Sequence, residues 1–206
     1  MEIMNQIENL KKIAKNKLAN NDPAHDFEHI MRVYRNAEKI CKTETGNKKL
    51  ILSAVLLHDI VKIKNQKDSA TKSAKLSEKI LKENCFLDDE IGIISDAIKE
   101  HSFSKGKIPS SIEGKILQDA DRLDAIGAIG LARVFSFSGS NNRPFYDPND
   151  PFSKNRVIDD NKWALDHFFE KLLTLEKKMN TKTGKILAKN RTKILKNFLK
   201  ELKTEI

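Results

Sequence analysis

Leu56-Leu57-His58-Asp59-Ile60 closes an apolar run, Leu50, Ile51, Leu52, Ala54, Val55, Leu56 and Leu57, that reads as a buried helix. The run ends by setting an imidazole and a carboxylate side by side where water is scarce. Burying a polar group without a partner costs roughly 2–7 kcal/mol, and a charge costs more. A divalent metal satisfies both at once, because it accepts a neutral imidazole nitrogen and a carboxylate oxygen as ligands. The rest of the chain is read outward from that pair.

At 206 residues the chain suits one domain with a sizeable core. Eight glycines and five prolines, gathered in a few places, favour long helices over strands and turns. The expected fold is all-α, a single-domain helical bundle. Apolar residues make up 39% and charged residues 33%, a balance of globular rather than disordered chains. No apolar run approaches the roughly 18–20 residues of a membrane span, and Met1 to Gln6 lacks the form of a signal peptide. Cys41 and Cys85 lie far apart, outside any metal or redox spacing, which suits a reducing compartment. A soluble, cytoplasmic protein without a membrane partner is expected. The net charge of +9 has two readings, an anionic partner or a lysine-rich composition. The lysines are dispersed along every helix, and one tryptophan and two tyrosines offer little base stacking, which argues against nucleic acid. A basic nucleic-acid-binding module is the reading of another class that the charge leaves open.

Hydrophobic spacing predicts a first helix through Leu18, ending near Asn20-Asn21. A second starts with Asp22 as N-cap and Pro23 at its first position, carries His25, His29, Val33, Ala37 and Ile40 on one face, and stops around Gly46. The third holds the opening run and breaks after Lys62. Further helices are expected over about 69–84, with Ala70, Ala74, Ser77 and Leu81 inward, and over 88–101, where His101 ends the stripe of Ile91, Ile94 and Ile98. A loop over 102–111 leads to one long helix over 112–137, whose small residues from Ala125 to Ala132 suit close helix contact. The segment 138–160 is the long irregular stretch, and such stretches are often functional. Helices over 161–179 and 182–204 close the chain.

His25 and His29 stand four apart on the second helix, and Asp121 and Asp124 three apart on the long one, so each pair shares a face. Asp119 faces away and reads as solvated. A lone histidine on an apolar face is commonly a core residue, and each element is weak by itself. Their order is specific: His29-Ile30-Met31-Arg32-Val33, then Leu56-Leu57-His58-Asp59, then Ala120-Asp121-Arg122-Leu123-Asp124-Ala125.

In that order the sequence resembles the HD-domain phosphohydrolase superfamily, whose signature is His, then His-Asp, then Asp on a helical core. The resemblance implies a bundle of the HD-domain type with its signature core over 22–135 and C-terminal helices 161–206 packed on it. It places the metal ligands on His29, His58, Asp59 and Asp121, the last preferred over Asp124 for its Ala-Asp-Xaa-Leu setting. Similarity to a small bacterial subgroup extends through His25-Asp26-Phe27-Glu28-His29-Ile30, Glu100 to Ser104, Gln118 to Arg133, Gly139 to Pro148, His167 to Leu173 and Met179-Asn180-Thr181. Members of that subgroup are nucleotide pyrophosphohydrolases that commonly use manganese. The resemblance therefore implies a manganese-dependent enzyme that splits (deoxy)nucleoside triphosphates into monophosphate and pyrophosphate. Mixed nitrogen and oxygen ligation leaves magnesium, cobalt, nickel, iron and zinc open. The runner-up is another HD phosphohydrolase, a nucleotide phosphomonoesterase or a cyclic phosphodiesterase. A homo-oligomer stays open.

Around the four ligands stands a set of candidates for work on a phosphate ester. Asp124 either orients water or a ligand histidine, or pairs with Arg122 or Arg32. His25 either meets a phosphate or protonates the leaving oxygen, or packs at its helix start. His101 is read as an active-site residue at substrate or a further metal. Lys62 either reaches phosphate or ends a helix in solvent. His167 and Lys171, four apart beside the apolar Phe168 and Leu172, are read as phosphate contacts. Arg191 either anchors the same region or pairs with a helix carboxylate. Arg143, with Phe145 and Tyr146, either lines a nucleotide pocket or packs its loop on the body.

Overall fold

The structure is a computed structural model and describes residues 2–19, 26–61, 69–102 and 107–206. Within them every regular element is helical and no strand occurs, so the all-α expectation holds. The helices are α1 (Glu2–Lys17), α2 (Phe27–Ile40), α3 (Lys48–Leu57), α4 (Ser69–Glu83), α5 (Asp88–Glu100), α6 (Ile112–Asp124), α7 (Gly127–Ser140), α8 (Asp166–Glu170), a 3-10 helix (Leu172–Lys178) and α9 (Lys182–Glu205). They form two compact units, residues 1–121 and 122–206, divided within α6 after Asp121.

The first unit is built around α3. Every residue from Leu50 to Leu57 is buried, as the opening run requires. Helices α1, α2, α4 and α5 pack against it, and α4 lies along α5. Asn47 caps its start, accepting from the Lys49 and Leu50 N–H groups. The inward faces of α4 (Ala70, Ala74, Ser77, Leu81) and α5 (Ile91, Ile94, Ile98) are buried as their spacing predicts.

Several boundaries differ from expectation, each for a local reason. Helix α2 begins at Phe27 with Asp26 as its cap, whose carboxylate accepts from the His29 N–H at 2.8 Å. The Asp22 cap and Pro23 lie outside the described residues, as do His25 and Lys62. Helix α3 ends at Leu57, five residues before the expected break after Lys62, because the His58 side chain turns back onto the helix end. The long helix expected over 112–137 is two helices. Gly127 sits at φ +80° in the left-handed region, where a side chain is strained and the helical path cannot continue. Its neighbour Gly130 lies against the Ala125 carbonyl oxygen, which a Cβ would meet at 2.2 Å. The helix expected over 161–179 is the short α8 followed by a 3-10 turn, broken at Lys171 (φ −125°, ψ −61°). Asp119 is fully buried rather than solvated, because α6 is enclosed on most sides, with Ile116, Leu117, Gln118, Ala120 and Leu123 buried beside it.

In the second unit α7 and α9 pack together, and the 3-10 helix packs on α8 and α9. Arg191 of α9 lies across Gly127 and donates from Nη1 to the Leu123 carbonyl, closing the end of α6. Phe135, Phe168 and Phe198 form an aromatic cluster with centroids 5.7–6.1 Å apart. Beside it Phe145 and Tyr146 border an apolar cavity of about 250 Å³ with Phe135, Leu165, Phe198 and Leu202. The 138–160 segment is ordered by hydrogen bonds rather than by helix. Asp166 is its anchor: fully buried, it accepts from Arg156 Nη1 (2.6 Å) and Nη2 (2.7 Å), Ser153 Oγ (2.9 Å) and the Asp159 N–H (2.7 Å).

Candidate metal centre

The end of α3 delivers the central ring. His58 is the C-cap of α3, its side chain fully buried, with Nδ1 2.7 Å from the Val55 carbonyl oxygen. A carbonyl only accepts, so Nδ1 carries the proton and Nε2 carries the lone pair. Nε2 is buried without a hydrogen-bond partner. Burial pushes the ring below the ordinary histidine pKa, against the pull of the Asp59 and Asp121 carboxylates.

His101 repeats the device at the end of α5. It is that helix's C-cap, Nδ1 lies 2.6 Å from the Ile98 carbonyl oxygen, and the ring is nearly buried. The His58 and His101 ring centroids are 5.0 Å apart, edge to face. From α2 comes His29, also buried, its centroid 5.5 Å from that of His58.

Two carboxylates meet these rings. Asp59 Oδ2 lies 4.0 Å from His29 Nε2 and 3.9 Å from His58 Nε2, while its other oxygen lies 4.0 Å from His101 Nε2. Asp121 Oδ1 lies 3.6 Å from His29 Nε2 and 4.0 Å from His58 Nε2. Two overlapping groups can hold a metal ion: His29, His58 and Asp121, and His58, Asp59 and His101. Two donors bound at about 2.0–2.2 Å stand at most about 4.4 Å apart, and all five distances fall inside that limit. A neutral ring nitrogen facing two carboxylate oxygens pairs lone pair with negative charge; a cation between them turns that repulsion into ligation. The donor set fits a divalent ion.

Two amides support the centre and escaped the sequence reading. Buried Asn36 of α2 donates from Nδ2 to the Ala120 carbonyl at 3.0 Å, one residue from Asp121. Gln118 of α6, fully buried, donates to the His101 and Lys107 carbonyls at 3.2 and 3.1 Å, holding the end of α5. The sequence-level signal was there: each is an amide on a helix face otherwise buried.

The remaining candidates fall in the second unit. Asp124 is paired with Arg133 at 2.8 Å. Arg143 spends its guanidinium on its own loop, bonding to Ser138 Oγ (3.0 and 2.7 Å) and to the Asp160 carbonyl. Arg191 donates to the Leu123 carbonyl at the end of α6, and the Asp124 carboxylate of the same helix end acts on its charge. His167 Nδ1 lies 2.8 Å from Asp160 Oδ2, with Lys171 half-buried one turn on.

An all-helical scaffold that converges histidines from three helices on two aspartates has the makings of a metal-dependent hydrolase. Residues 26–126 match the HD domain family. The chain is 32% identical to Bacillus subtilis YpgQ over 211 residues, covering 100% of this chain and 96% of that protein. It belongs to the HD-domain hydrolase superfamily. Its fold is similar to the crystal structure of YpgQ in complex with ADP, with TM-score 0.81 and 30% identity over 100% of this chain and 97% of that one. It is likewise similar to an HD-superfamily hydrolase from Bacillus thuringiensis, with TM-score 0.79 and 33% identity over 98% and 97%. Among the described residues no helix is long and apolar enough to cross a membrane.

Proposed function

We propose that the chain is a metal-dependent phosphohydrolase that cleaves (deoxy)nucleoside triphosphates to monophosphate and pyrophosphate. The ligands are His29, His58, Asp59 and Asp121, and manganese is the metal that the family resemblance favours. The observation that carries this reading is His58: a buried ring with its proton committed to Val55 and its lone pair turned toward Asp59 and Asp121. Support for a nucleotide comes from the related YpgQ, whose crystal structure was solved with ADP.

When bound, the cation lowers the pKa of a water and neutralises phosphate charge. The protein's own contribution is orientation. His58 and His101 keep their protons on Nδ1, so both present Nε2 lone pairs toward the centre. Asp59 offers one oxygen to His29 and His58 and the other to His101. That leaves His101 as the ring placed to take a proton on Nε2 beside the ligand set. The buried surroundings of α3 limit competing water on the side away from substrate.

The test is product analysis. Protein loaded with manganese, and in parallel with magnesium, cobalt, nickel, iron or zinc, is incubated with a panel of ribo- and deoxyribonucleoside triphosphates. Monophosphate plus pyrophosphate is the expected outcome. Diphosphate plus phosphate would assign a phosphomonoesterase instead. Absence of cleavage with every metal, together with salt-sensitive DNA or RNA binding, would overturn the enzymatic reading.

A further inference from the structure

The lysines expected to be dispersed along every helix are not dispersed on α9. Lys182, Lys185, Lys189, Lys193, Lys196, Lys200 and Lys203 recur every three or four residues, and all of them are exposed. At about 100° per residue they fall within an arc of about 80°, and at about 1.5 Å per residue they form a row about 31 Å long. The exposed side of α9 is wider than that arc. Ile186, Asn190, Ile194, Asn197 and Thr204 fill the rest of it, so solvation alone does not call for so narrow a row. The two acids of α9, Glu201 and Glu205, stand about 80° or more outside the arc.

Local physics opposes this arrangement. Each lysine has another three or four residues away and no Asp or Glu at either spacing, so the row is a run of like-charge neighbours. Lys182 opens the helix at the positive end of its dipole, and the first turn holds no acid. Lysines elsewhere are spent differently: Lys11 pairs with Glu8 at 2.7 Å, Lys79 with Glu83 at 3.9 Å and Lys99 with Asp96 at 3.4 Å. The α9 lysines make no such pair among the described residues. An anion laid along the row relieves both its self-repulsion and its conflict with the dipole.

The shape of the row selects the anion. A single phosphate meets a few ammonium groups; only a polyanion meets the whole length. A protein partner needs apolar or aromatic anchors at the centre of its interface, where lysine is depleted, and the arc holds only lysines. A lipid surface is bound by burying an apolar helix face among the headgroups, but that face of α9, with Ala188 and Leu195, is already buried where α9 packs on α7 and the 3-10 helix. A single nucleic-acid strand is gripped by stacking on aromatic rings, which the arc lacks. A duplex backbone needs only cations. It carries one negative charge per about 1.7 Å of axis, enough to meet every lysine of the row.

We propose that α9 is a sequence-independent binding ridge for the phosphate backbone of a double-stranded nucleic acid. The ridge goes beyond the phosphohydrolase reading and does not rest on it, since none of the proposed metal ligands lies on α9. Duplex binding alone leaves that reading standing; it falls only where cleavage is also absent.

The experiment is fluorescence anisotropy of the full-length protein across a salt series. The probe is a labelled DNA duplex of about 20 base pairs, about twice the length of the row at 3.4 Å per pair. A single strand of the same length and phosphatidylserine vesicles form the other arms. With all seven lysines engaged, log K should fall against log salt with a slope of about −6, equally for unrelated sequences. Lys189→Gln, Lys193→Gln and Lys196→Gln together should flatten that slope to about −3.6. Their unfolding midpoint should be no lower than the parent's, because like-charge neighbours are removed. Lys72→Gln, Lys75→Gln and Lys79→Gln on the exposed side of α4 make the same change in net charge and should leave the slope near its parent value. A ridge triple that leaves the slope unchanged, an α4 triple that flattens it equally, or no duplex binding at low salt overturns the proposal. So does tighter binding to the single strand. Vesicle binding without duplex binding overturns it too, and assigns the ridge to an anionic membrane surface.

Discussion

The Arg156–Asp166 pair makes unequal demands on its two members, and that inequality is measurable. Asp166 has a fully buried side chain, whereas Arg156 is 19% exposed and has further contacts with Asp147 and the Asp150 carbonyl. Removing Arg156 strands a buried carboxylate with only the Ser153 hydroxyl and the Asp159 N–H. Breaking a buried pair this way costs about 3–5 kcal/mol, and those two remaining donors place Arg156→Ala near the lower end, about 3 kcal/mol. Removing Asp166 instead leaves an arginine that water and Asp147 can satisfy, so Asp166→Ala should cost about 1–2 kcal/mol. The assay is denaturant unfolding followed by the fluorescence of Trp163, the chain's one tryptophan, which lies three residues from Asp166. The pH dependence gives a second check. Burial alone would push Asp166 up, but the bonds from Arg156, Asp159 and Ser153 outweigh it and hold the carboxyl below its ordinary value. Its contribution is therefore complete above the unfolded-state pKa and is lost as pH falls through the lower folded value. In Arg156→Ala burial prevails, and the acid loss should begin at higher pH. Equal costs for the two alanine variants, or an unchanged acid limb, would refute the reasoning.

Three further outcomes follow from the centre and its supports. Asp59→Ala should remove bound metal and hydrolysis together, measured by elemental analysis and turnover; full metal occupancy would mean that the ligand set is misplaced. Asn36→Ala should cost about 1–3 kcal/mol by leaving the buried Ala120 carbonyl without its 3.0 Å donor, and should weaken metal affinity in calorimetry. Gly127→Ala should cost at least about 1–2 kcal/mol in thermal unfolding, since φ is +80° and the new Cβ would lie 3.1 Å from Arg191 Cγ. An alanine variant as stable as the parent would show that this turn relaxes.

The first unit was far more legible from sequence than the second. An unbroken apolar run can only be interior, and a His-Asp pair at its end calls for partners, so α3 followed from residue type, while the set His29, His58, Asp59 and Asp121 came from the family resemblance. His29, His101 and Asp121 sat on recognisable helical stripes. What sequence periodicity could not reveal was where stripes stop. The split between α6 and α7 depends on one left-handed glycine, and Ala125 to Ala132 reads equally well as an unbroken helix. Asp26 displaced the expected cap because both aspartates suit the role and only geometry chooses. Asp119 was misjudged because angular position on a helix predicts exposure only when one side faces water. In the second unit Arg143 and Arg156 bind partners within a loop that has no period to read. Their guanidinium groups hold that loop together.

The two histidines that finish α3 and α5 are fixed to the ends of rigid rods. One residue added to or removed from either helix would rotate its terminal ring by about 100° and displace it by about 1.5 Å along the axis. In α5 that carries His101 Nε2 out of reach of Asp59, and in α3 it carries His58 and Asp59 together away from His29 and Asp121. Insertions and deletions are therefore expected to accumulate among relatives in the connections between helices, while the lengths of these two helices stay fixed. The dimension under selection is a helix length, counted in whole residues.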